Sequence, residues 1–501
     1  MLINFMHILI IAKRIKSVIC MKVTILNPPS RFAKNVVRDL FYGCWCTGKR
    51  IASAKFPPST LIYLVAVLKG AGHDVNLLDS QARDLDLEQV KAVLGRDRPG
   101  ILIIPTSTMS FREDMETLRE IKKTINTVTV AFGSHVTFMP KISLAEKALD
   151  YIVMREPEYI IRDLADALDD GRGVRYVRGI GFRDGKSTRI NKPYPFIKDL
   201  DGLPFPDREC IKNFSYFNPL VKRLPWTTAI TSRGCPGRCN FCTSPSFYGK
   251  TLRVRSSDNV VDEIEEIVGM GYKEIFYRDE TFTAERKRVE DICRLIKERG
   301  IDVSWICSAR IGTVNKELMA KMRRVGCHMI RFGVESGVQR ILDNINKGIK
   351  AELTKKTFKW ANSLGMETHA HVMLGCIGES WSTVNQTIGF VKSIKPTTVT
   401  FGAFTPYPGT EIFEKVRKKV PHIGDGSACD LSKVHSAGYY SYMFSDMTSK
   451  EVGRAVHKAY REFYLRPSYV LGRLKSMRSL DEFRRIVSAG LEVMSYSMGG
   501  G

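Results

Sequence analysis

The stretch TSRGCPGRCNFCTSP, Thr231 to Pro245, carries three cysteines on one loop. Cys235, Cys239 and Cys242 stand four and three residues apart, with no fourth cysteine beside them. A structural zinc site closes a tetrahedron with four protein ligands. A cubane of four irons and four sulfides takes one cysteine per iron, so three cysteines leave one iron open to a substrate. Gly234, Pro236 and Gly237 permit tight turns beside the ligands. Phe241 stands next to a ligand and is placed to cover a face. A zinc knuckle completed from a distance is the alternative, but the nearby candidate, Cys210, precedes a Pro-rich stretch.

The sequence on either side of the loop sets its place in a fold. From WTTAITSRGC onward, short apolar strands alternate with helix-period segments such as SDNVVDEIEEIVGMG and NKELMAKMRRVG. The strands are expected to end at Arg233, Asp279, Arg310, Ser336, Gly375 and Thr405. Six β/α units in succession predict an incomplete barrel, whose chemistry sits at the C-terminal ends of its strands. The loop follows the first of them. Upstream, KVTILNPP, HDVNLLDS, GILIIPTST, VTVAFGSH and DYIVMRE alternate with helical segments in the same way. That alternation predicts a parallel, doubly wound α/β domain with its ligand crevice at the strand ends.

The predicted organisation is an α/β chain: a Rossmann-like domain over 21–180, a linker over 181–225, a partial (β/α)6 barrel over 226–424, and a mostly helical segment over 425–501. The linker is rich in Gly, Pro and Asp and opens with a hairpin. The C-terminal segment is expected to help close a substrate cavity. The chain has 501 residues, 12 cysteines and a formal net charge of +24. That balance favours anionic partners. The basic runs are dispersed, however, and read as solvated helix faces. They are not interleaved with aromatics as single-strand nucleic-acid platforms are. Twelve cysteines in so long a chain are no disulfide framework, and a tight cluster of three points to metal in a reducing cytoplasm. The N-terminal apolar run precedes its basic residues, the reverse of a secretory signal, and is too short to span a bilayer. Met21 is read as the start of the first strand, with an interfacial membrane anchor as the alternative.

The CxxxCxxC loop with an aromatic before its third cysteine resembles the radical S-adenosylmethionine (SAM) superfamily. IFYRDETFT, WICSARIGTV, IRFGVESGVQRIL, HVMLGCIGES and FTPYPGTEIF resemble that superfamily's motifs on strands two to six. FPPSTLIYLVAVLKGAGHDV, PTSTMSFREDM, FGSHVTFMP and DYIVMREPE resemble the cobalamin (B12)-binding domain that precedes such barrels in one large subfamily. Two positions depart from it. Phe132-Gly133 stands where the subfamily has Gly-Gly, and Arg155-Glu156 where it has Gly-Glu; both are expected to line the cobalamin pocket. The Asp-x-His-x-x-Gly motif that supplies a lower histidine ligand elsewhere is absent.

The resemblance implies three cofactors: a 4Fe–4S cluster on Cys235, Cys239 and Cys242, SAM on the open iron, and cobalamin. It implies that Arg310 pairs with the SAM carboxylate, and that Asp279 or Glu280 meets its ammonium. Glu335 with Ser336 is placed for the ribose, and Phe241 beside the cluster. Thr106, Ser107, Thr108, Gly133, His135 and Glu156 are placed for cobalamin. The implied activity is a C-methyltransferase acting at an unactivated carbon through a 5′-deoxyadenosyl radical and methylcobalamin. A cyclase or rearrangement enzyme acting on a lipid or tetrapyrrole is the alternative. A methylthiotransferase on tRNA would need three cysteines in the first domain, where only Cys44 and Cys46 lie beyond Cys20. Implied partners are a flavodoxin- or ferredoxin-like electron donor and a peptide, lipid or small-molecule substrate. The implied location is the cytoplasm, with peripheral membrane contact as a second expectation.

Overall fold

The structure, a computed structural model, describes residues 21–32, 38, 54–420, 423–424, 438, 440–476, 487 and 490–495. The expectations for residues 1–20 and for Cys44 and Cys46 lie outside these residues.

The first sheet contains β1 (Lys22–Asn27), β2 (Asp74–Asp79), β3 (Ile101–Pro105), β4 (Val128–Phe132), β5 (Tyr151–Val153), β6 (Ile180–Asp184) and β7 (Ser187–Ile190). Their order is β2-β1-β3-β4-β5-β6-β7. The first five strands run parallel, and β6 and β7 are antiparallel additions. ILIIP in β3 is buried at every position, because helices cover both faces. Helices Ser59–Gly70 and Pro157–Asp169 pack on one face through Leu61, Leu64, Ile161 and Leu164. Helices Leu87–Asp97 and Phe111–Lys122 pack on the other through Val90, Leu94, Met115 and Leu118. The strand order reverses between β1 and β3, which places a crevice at their carboxyl ends. The hairpin expected in the linker belongs to this sheet, which runs to Ile190 rather than ending at 180.

The second sheet is six-stranded and parallel. It contains β8 (Trp226–Ala229), β11 (Glu274–Tyr277), β12 (Ser304–Ala309), β13 (Cys327–Glu335), β14 (Glu367–Leu374) and β15 (Thr398–Ala403). The order is β15-β14-β13-β12-β11-β8, so β8 and β15 are free edges of a partial barrel. Its first strand is shorter than expected and ends at Ala229, not Arg233. Instead β9 (Ser232–Arg233) pairs antiparallel with β10 (Arg253–Val254). The cysteine loop is therefore held at both ends, between β9 and β10.

An exposed sheet edge leaves backbone groups without partners. Helix Ser449–Tyr464 covers the β15 edge. Phe401 N donates to Tyr460 Oη at 3.0 Å and Val399 N to Tyr464 Oη at 2.9 Å, while Tyr464 Oη donates to Val399 O at 2.7 Å. The C-terminal segment, expected at a substrate cavity, seals this edge. The basic runs are solvated helix faces with local ion pairs, such as Arg286–Glu290 and Lys415–Glu411.

The two domains are joined by buried charge. Arg233 in β9 reaches Glu156 at 3.0 Å and Glu158 at 2.5 Å, at the start of helix Pro157–Asp169. Arg253 in β10 reaches Glu156 at 2.9 Å, and Ile197 N donates to the same carboxylate at 2.9 Å. Burial opposes the Arg233 charge, yet Glu158 and Glu156 hold its pKa well above the usual value. Glu156 was expected in the cobalamin pocket. Its carboxylate is spent in this joint, which corrects that expectation. Helix Ser59–Gly70 adds neutral contacts to β8, with Ser59 Oγ 2.9 Å from Thr228 Oγ1.

Candidate active site

The cysteine loop starts from a fixed point. Asp279, just past β11, is 1% exposed and accepts from Thr231 N at 2.7 Å, Thr231 Oγ1 at 2.6 Å and Ser232 Oγ at 2.6 Å. Its carboxylate is filled, so it positions the loop instead of meeting a ligand ammonium; that corrects the expectation for Asp279. The neighbouring Glu280 turns the other way, toward Gly234. Burial pushes its carboxyl up to about 8 against the pull of the Glu280 and Gly234 backbone amides. A bound cation would reverse that shift.

The three thiols converge on one mouth. Cys235 Sγ lies 3.4 Å from Thr281 Oγ1, and Arg310 Nη1 lies 3.6 Å from Cys239 Sγ. Burial pushes the Cys242 thiol up to about 12, with Cys239 and Cys235 adding to it. A Cβ on Gly237 would fall 2.9 Å from Arg310 Nη1 and 3.4 Å from Cys235 Sγ, which places Arg310 against the cysteine loop. Among the described residues, no three His, Cys, Asp or Glu side chains close on a single metal ion as a zinc knuckle needs. A cubane sets each thiolate on a different iron, and a loop with three free thiols beside Arg310 fits one.

Beside the thiols lies a buried pair. Lys347 Nζ donates to Glu335 Oε1 at 2.7 Å, and Glu335 holds a left-handed φ of 61°. Burial opposes the Lys347 charge, but Glu335, with Cys239 adding, raises its pKa. Lys347 also sits over the Phe241 ring, which meets Phe404 edge-on at 6.4 Å. Glu335 and Phe241 therefore stand at the mouth. Ser336 does not: its hydroxyl pairs with Thr387 Oγ1 at 3.0 Å and receives Val338 N, behind the strand end. Lys347 escaped the sequence reading. The single cue is its place before Gly348, whose φ of 63° lets the chain pass Arg310.

Across from this mouth are the strand ends of the first sheet. Gly133 has φ 124°, and a Cβ there would fall 2.2 Å from Thr106 O. Thr106 Oγ1 donates to Asp114 at 2.8 Å, Ser107 Oγ pairs with Ser110 Oγ at 3.1 Å, and Thr108 Oγ1 meets His135 Nδ1 at 3.2 Å. His135 is buried and stacks on Phe111 at 4.0 Å. These loops form a close-packed ledge of small residues, a backbone cradle that fits a planar ligand. The departing residues leave it clear: Phe132 points into the core, and Arg155 lies over Phe196 at 4.9 Å. Gly133→Ala is expected to displace the Thr106 loop at a cost of about 1–3 kcal/mol in backbone strain. Cobalamin kept through gel filtration, read by its visible absorbance, should then fall sharply with no loss of iron.

The ledge and the mouth face each other. Tyr407, after β15, places its Oη 3.3 Å from Met109 Sδ, and a Cβ on Gly409 would fall 2.6 Å from the Phe138 ring. Phe138 meets Phe247, just past the cysteine loop, edge-on at 6.2 Å.

The family profile described as radical SAM superfamily matches residues 229–391, and that described as B12 binding domain matches residues 52–165. A Pyrococcus horikoshii protein named as an uncharacterized methyltransferase is 32% identical over 84% of this chain and 91% of its own. The chain belongs to the B12-binding radical SAM family. The cofactors of this radical SAM protein are a 4Fe–4S cluster, SAM and cobalamin. It is also 30% identical to an anaerobic magnesium-protoporphyrin IX monomethyl ester cyclase of Rubrivivax gelatinosus, over 74% of this chain and 68% of the relative. Its fold matches that of TsrM, a radical SAM methyltransferase of Kitasatospora setae solved with cobalamin and a 4Fe–4S cluster. The TM-score is 0.69 at 14% identity, covering 96% of this chain and 99% of that one. Enzymes of this kind need a reductant as well as a substrate.

Proposed function

We propose that this radical SAM protein is a cobalamin-dependent C-methyltransferase acting on an unactivated carbon. The observation that carries the reading is the meeting of the cysteine mouth and the Gly133 ledge through Tyr407, Gly409 and Phe138. A substrate held between them would be within reach of both cofactor sites. When bound, the cluster and SAM would supply radical chemistry at a C–H bond, and cobalamin would supply a methyl group.

The chain's own residues bind, orient and keep water out. Cys235, Cys239 and Cys242 hold the cluster and leave one iron open. Arg310 offers a planar fork to the SAM carboxylate. Glu280 takes the ammonium, which its raised pKa leaves room to stabilise. Glu335, with Lys347 holding its carboxylate, meets the ribose hydroxyls. Phe241 and Phe404 wall the mouth. Thr106, Ser107, Thr108, Gly133 and His135 support cobalamin. No protein imidazole is assigned as its lower ligand, because His135 is stacked on Phe111 and bonded to Thr108.

The second reading is a cyclase, favoured by the 30% identity to the Rubrivivax protein. One assay separates them. The anaerobically reconstituted protein is given SAM and reductant, with and without cobalamin, and 5′-deoxyadenosine and S-adenosylhomocysteine are quantified. Both products, the second dependent on cobalamin, are expected. Deoxyadenosine alone would favour cyclisation, and neither would sink both readings.

The basic surface fits an acidic flavodoxin- or ferredoxin-like donor. The cytoplasm, where such a cluster survives, is the proposed location. No helix among the described residues is long and apolar enough to cross a membrane. Peripheral contact with an anionic bilayer is the further proposal, resting on the net charge of +24 and on exposed Val470 and Leu471.

A further inference from the structure

The inner face of the barrel holds a charge, Arg331, apart from the residues assigned to the cofactors. Residues on adjacent strands at one register share a face. Phe276 aligns with Ile306, Ile306 with Met329, Arg331 with His369, and His369 with Thr398. The opposite face, with Ile330, Phe332 and Val334, packs against the outer helices. The lower half of the inner face is plugged. Trp226, Phe276, Ile306 and Met329 pack with Phe56, Tyr216 and Leu220, and Phe56 meets the Phe276 ring edge-on at 5.8 Å. Arg331 lies directly on this plug, its guanidinium 5.1 Å from the Phe276 centroid. Above it stand Lys347 and the cysteine mouth. Lys347 acts electrostatically on both His371 and Cys239, which places the two levels close together.

The carboxylates of this face are committed elsewhere. Glu335 holds Lys347, Glu274 holds His328 at 2.8 Å and Ser304 Oγ at 2.7 Å, and Glu367 holds Lys222 at 2.9 Å. Among the described residues none of them makes a salt bridge to Arg331. Its contact is neutral: Nη2 donates to His371 Nε2 at 2.8 Å. Arginine has no lone pair to offer, so His371 accepts and carries its proton on Nδ1. Burial, then Arg331, keep His371 well below its usual pKa and hence uncharged. His369 offers no counter-charge, with its two nitrogens on Thr398 at 2.8 Å and Thr400 at 3.0 Å. Arg331 Nε is buried without a partner, although the side chain as a whole is half-buried. A cation so placed, with an orphan donor and no counter-ion among the described residues, is costly unless something supplies an anion.

We propose that Arg331 is the anchor of a substrate subsite and that the substrate carries a carboxylate, seated on Arg331 at the floor of the chamber. This deepens the methyltransferase reading and rests on it. One guanidinium edge matches one planar carboxylate in size, shape and charge. A phosphate dianion would call for a second cation, and Lys347, at the mouth above, is neutralised by Glu335. An anchor at the floor leaves the far end of the molecule pointing to the mouth.

The test is a binding measurement that does not read SAM cleavage. The holoprotein, with cluster and cobalamin, is saturated with S-adenosylhomocysteine so that Arg310 is occupied. Butyrate, its neutral isostere butyramide, and butyl phosphate are then compared by ligand-observed saturation-transfer NMR. Butyrate is expected to bind about tenfold or more tightly than butyramide, the scale of one charge-assisted fork, and no more weakly than butyl phosphate. Arg331→Met and Arg331→Gln should each lose that preference, and Arg331→Lys should restore part of it; cluster absorbance reports that each variant is folded. The assignment fails if butyramide binds as well as butyrate, if butyl phosphate binds more tightly, or if butyrate binds the folded neutral variants unchanged. Should neither neutral variant fold, the three probes on the unmodified protein decide. A negative result here leaves the deoxyadenosine and S-adenosylhomocysteine assay intact, and a protein that cleaves no SAM would still answer this one.

Discussion

Arg233→Met is expected to destabilise the joint between the domains by about 3–5 kcal/mol, the usual cost of removing one partner from a buried ion pair. The charge count explains the size. Arg233 and Arg253 balance Glu156 and Glu158 in a region where Arg233, Glu156 and Glu158 are 3%, 4% and 1% exposed. Without Arg233, Glu156 keeps Arg253, but Glu158 loses the guanidinium that met it at two points, 3.1 and 2.5 Å. Glu158→Leu added to Arg233→Met should recover much of the loss, because the stranded charge goes with it. An exposed pair between the first domain and the linker is the control: Lys69–Asp207 spans 2.7 Å with Lys69 48% exposed, and Lys69→Ala should cost no more than about 1 kcal/mol. Thermal unfolding of the cluster-free protein, followed with separate probes for the two domains, checks this. An Arg233→Met variant as stable as Lys69→Ala would remove the joint from the account. Arg233 stands two residues before Cys235, so the same loss should also slow cluster assembly.

Some of this was legible in the sequence, for a physical reason. Strand ends are written in apolar runs, and β11, β12, β13, β14 and β15 stop within two residues of where the pattern ends. The Phe132 departure follows from period two: Val130 and Phe132 enter one core cluster and Ala131 the other. What the pattern does not write is which acid is already spent. Asp279 and Glu280 are neighbours, and their different fates depend on side-chain direction past the strand end. Asp279 turns back to Thr231, 48 residues away, and Glu280 turns toward Gly234. Glu156 fails in the same way, since its partner Arg233 lies 77 residues on in another domain. Arg331 and Lys347 are polar residues in or beside strands, where a pattern reading expects only spacing. Their meaning comes from the strand register, which puts Arg331 on the face of the sheet opposite the outer helices and brings Lys347 to Glu335 at the strand end.

Cys239→Ser is expected to abolish SAM cleavage and take iron content from about four per chain toward zero. Three thiolates are the minimum that holds a cubane with one iron open, and an alcohol is a far poorer ligand than a thiolate. The chain has 12 cysteines, so selectivity is the stronger test. Cys210→Ser should leave iron content unchanged: its thiol donates to Asp207 O at 2.9 Å, and burial, with Asp207 adding, pushes its pKa up to about 12. Cys376→Ser should also leave iron unchanged, because Cys376, just past β14, is fully buried with its thiol on Met373 O. The sign of the pH effect follows from the same chemistry. Burial, with Cys239 and Cys235 adding, raises the Cys242 thiol to about 12, so the metal-free loop is protonated there at neutral pH. Iron binding must expel that proton, and loading is therefore expected to rise as the pH is raised. Arg310→Met separates the two uses of the mouth. It removes the guanidinium 3.6 Å from Cys239 but no ligand, so iron should stay and SAM affinity should fall about tenfold or more, as for one charge-assisted fork. Full iron in Cys239→Ser would mean that the three thiols are not the ligands that define the site, and loss of iron in Arg310→Met would mean that Arg310 helps hold the cluster.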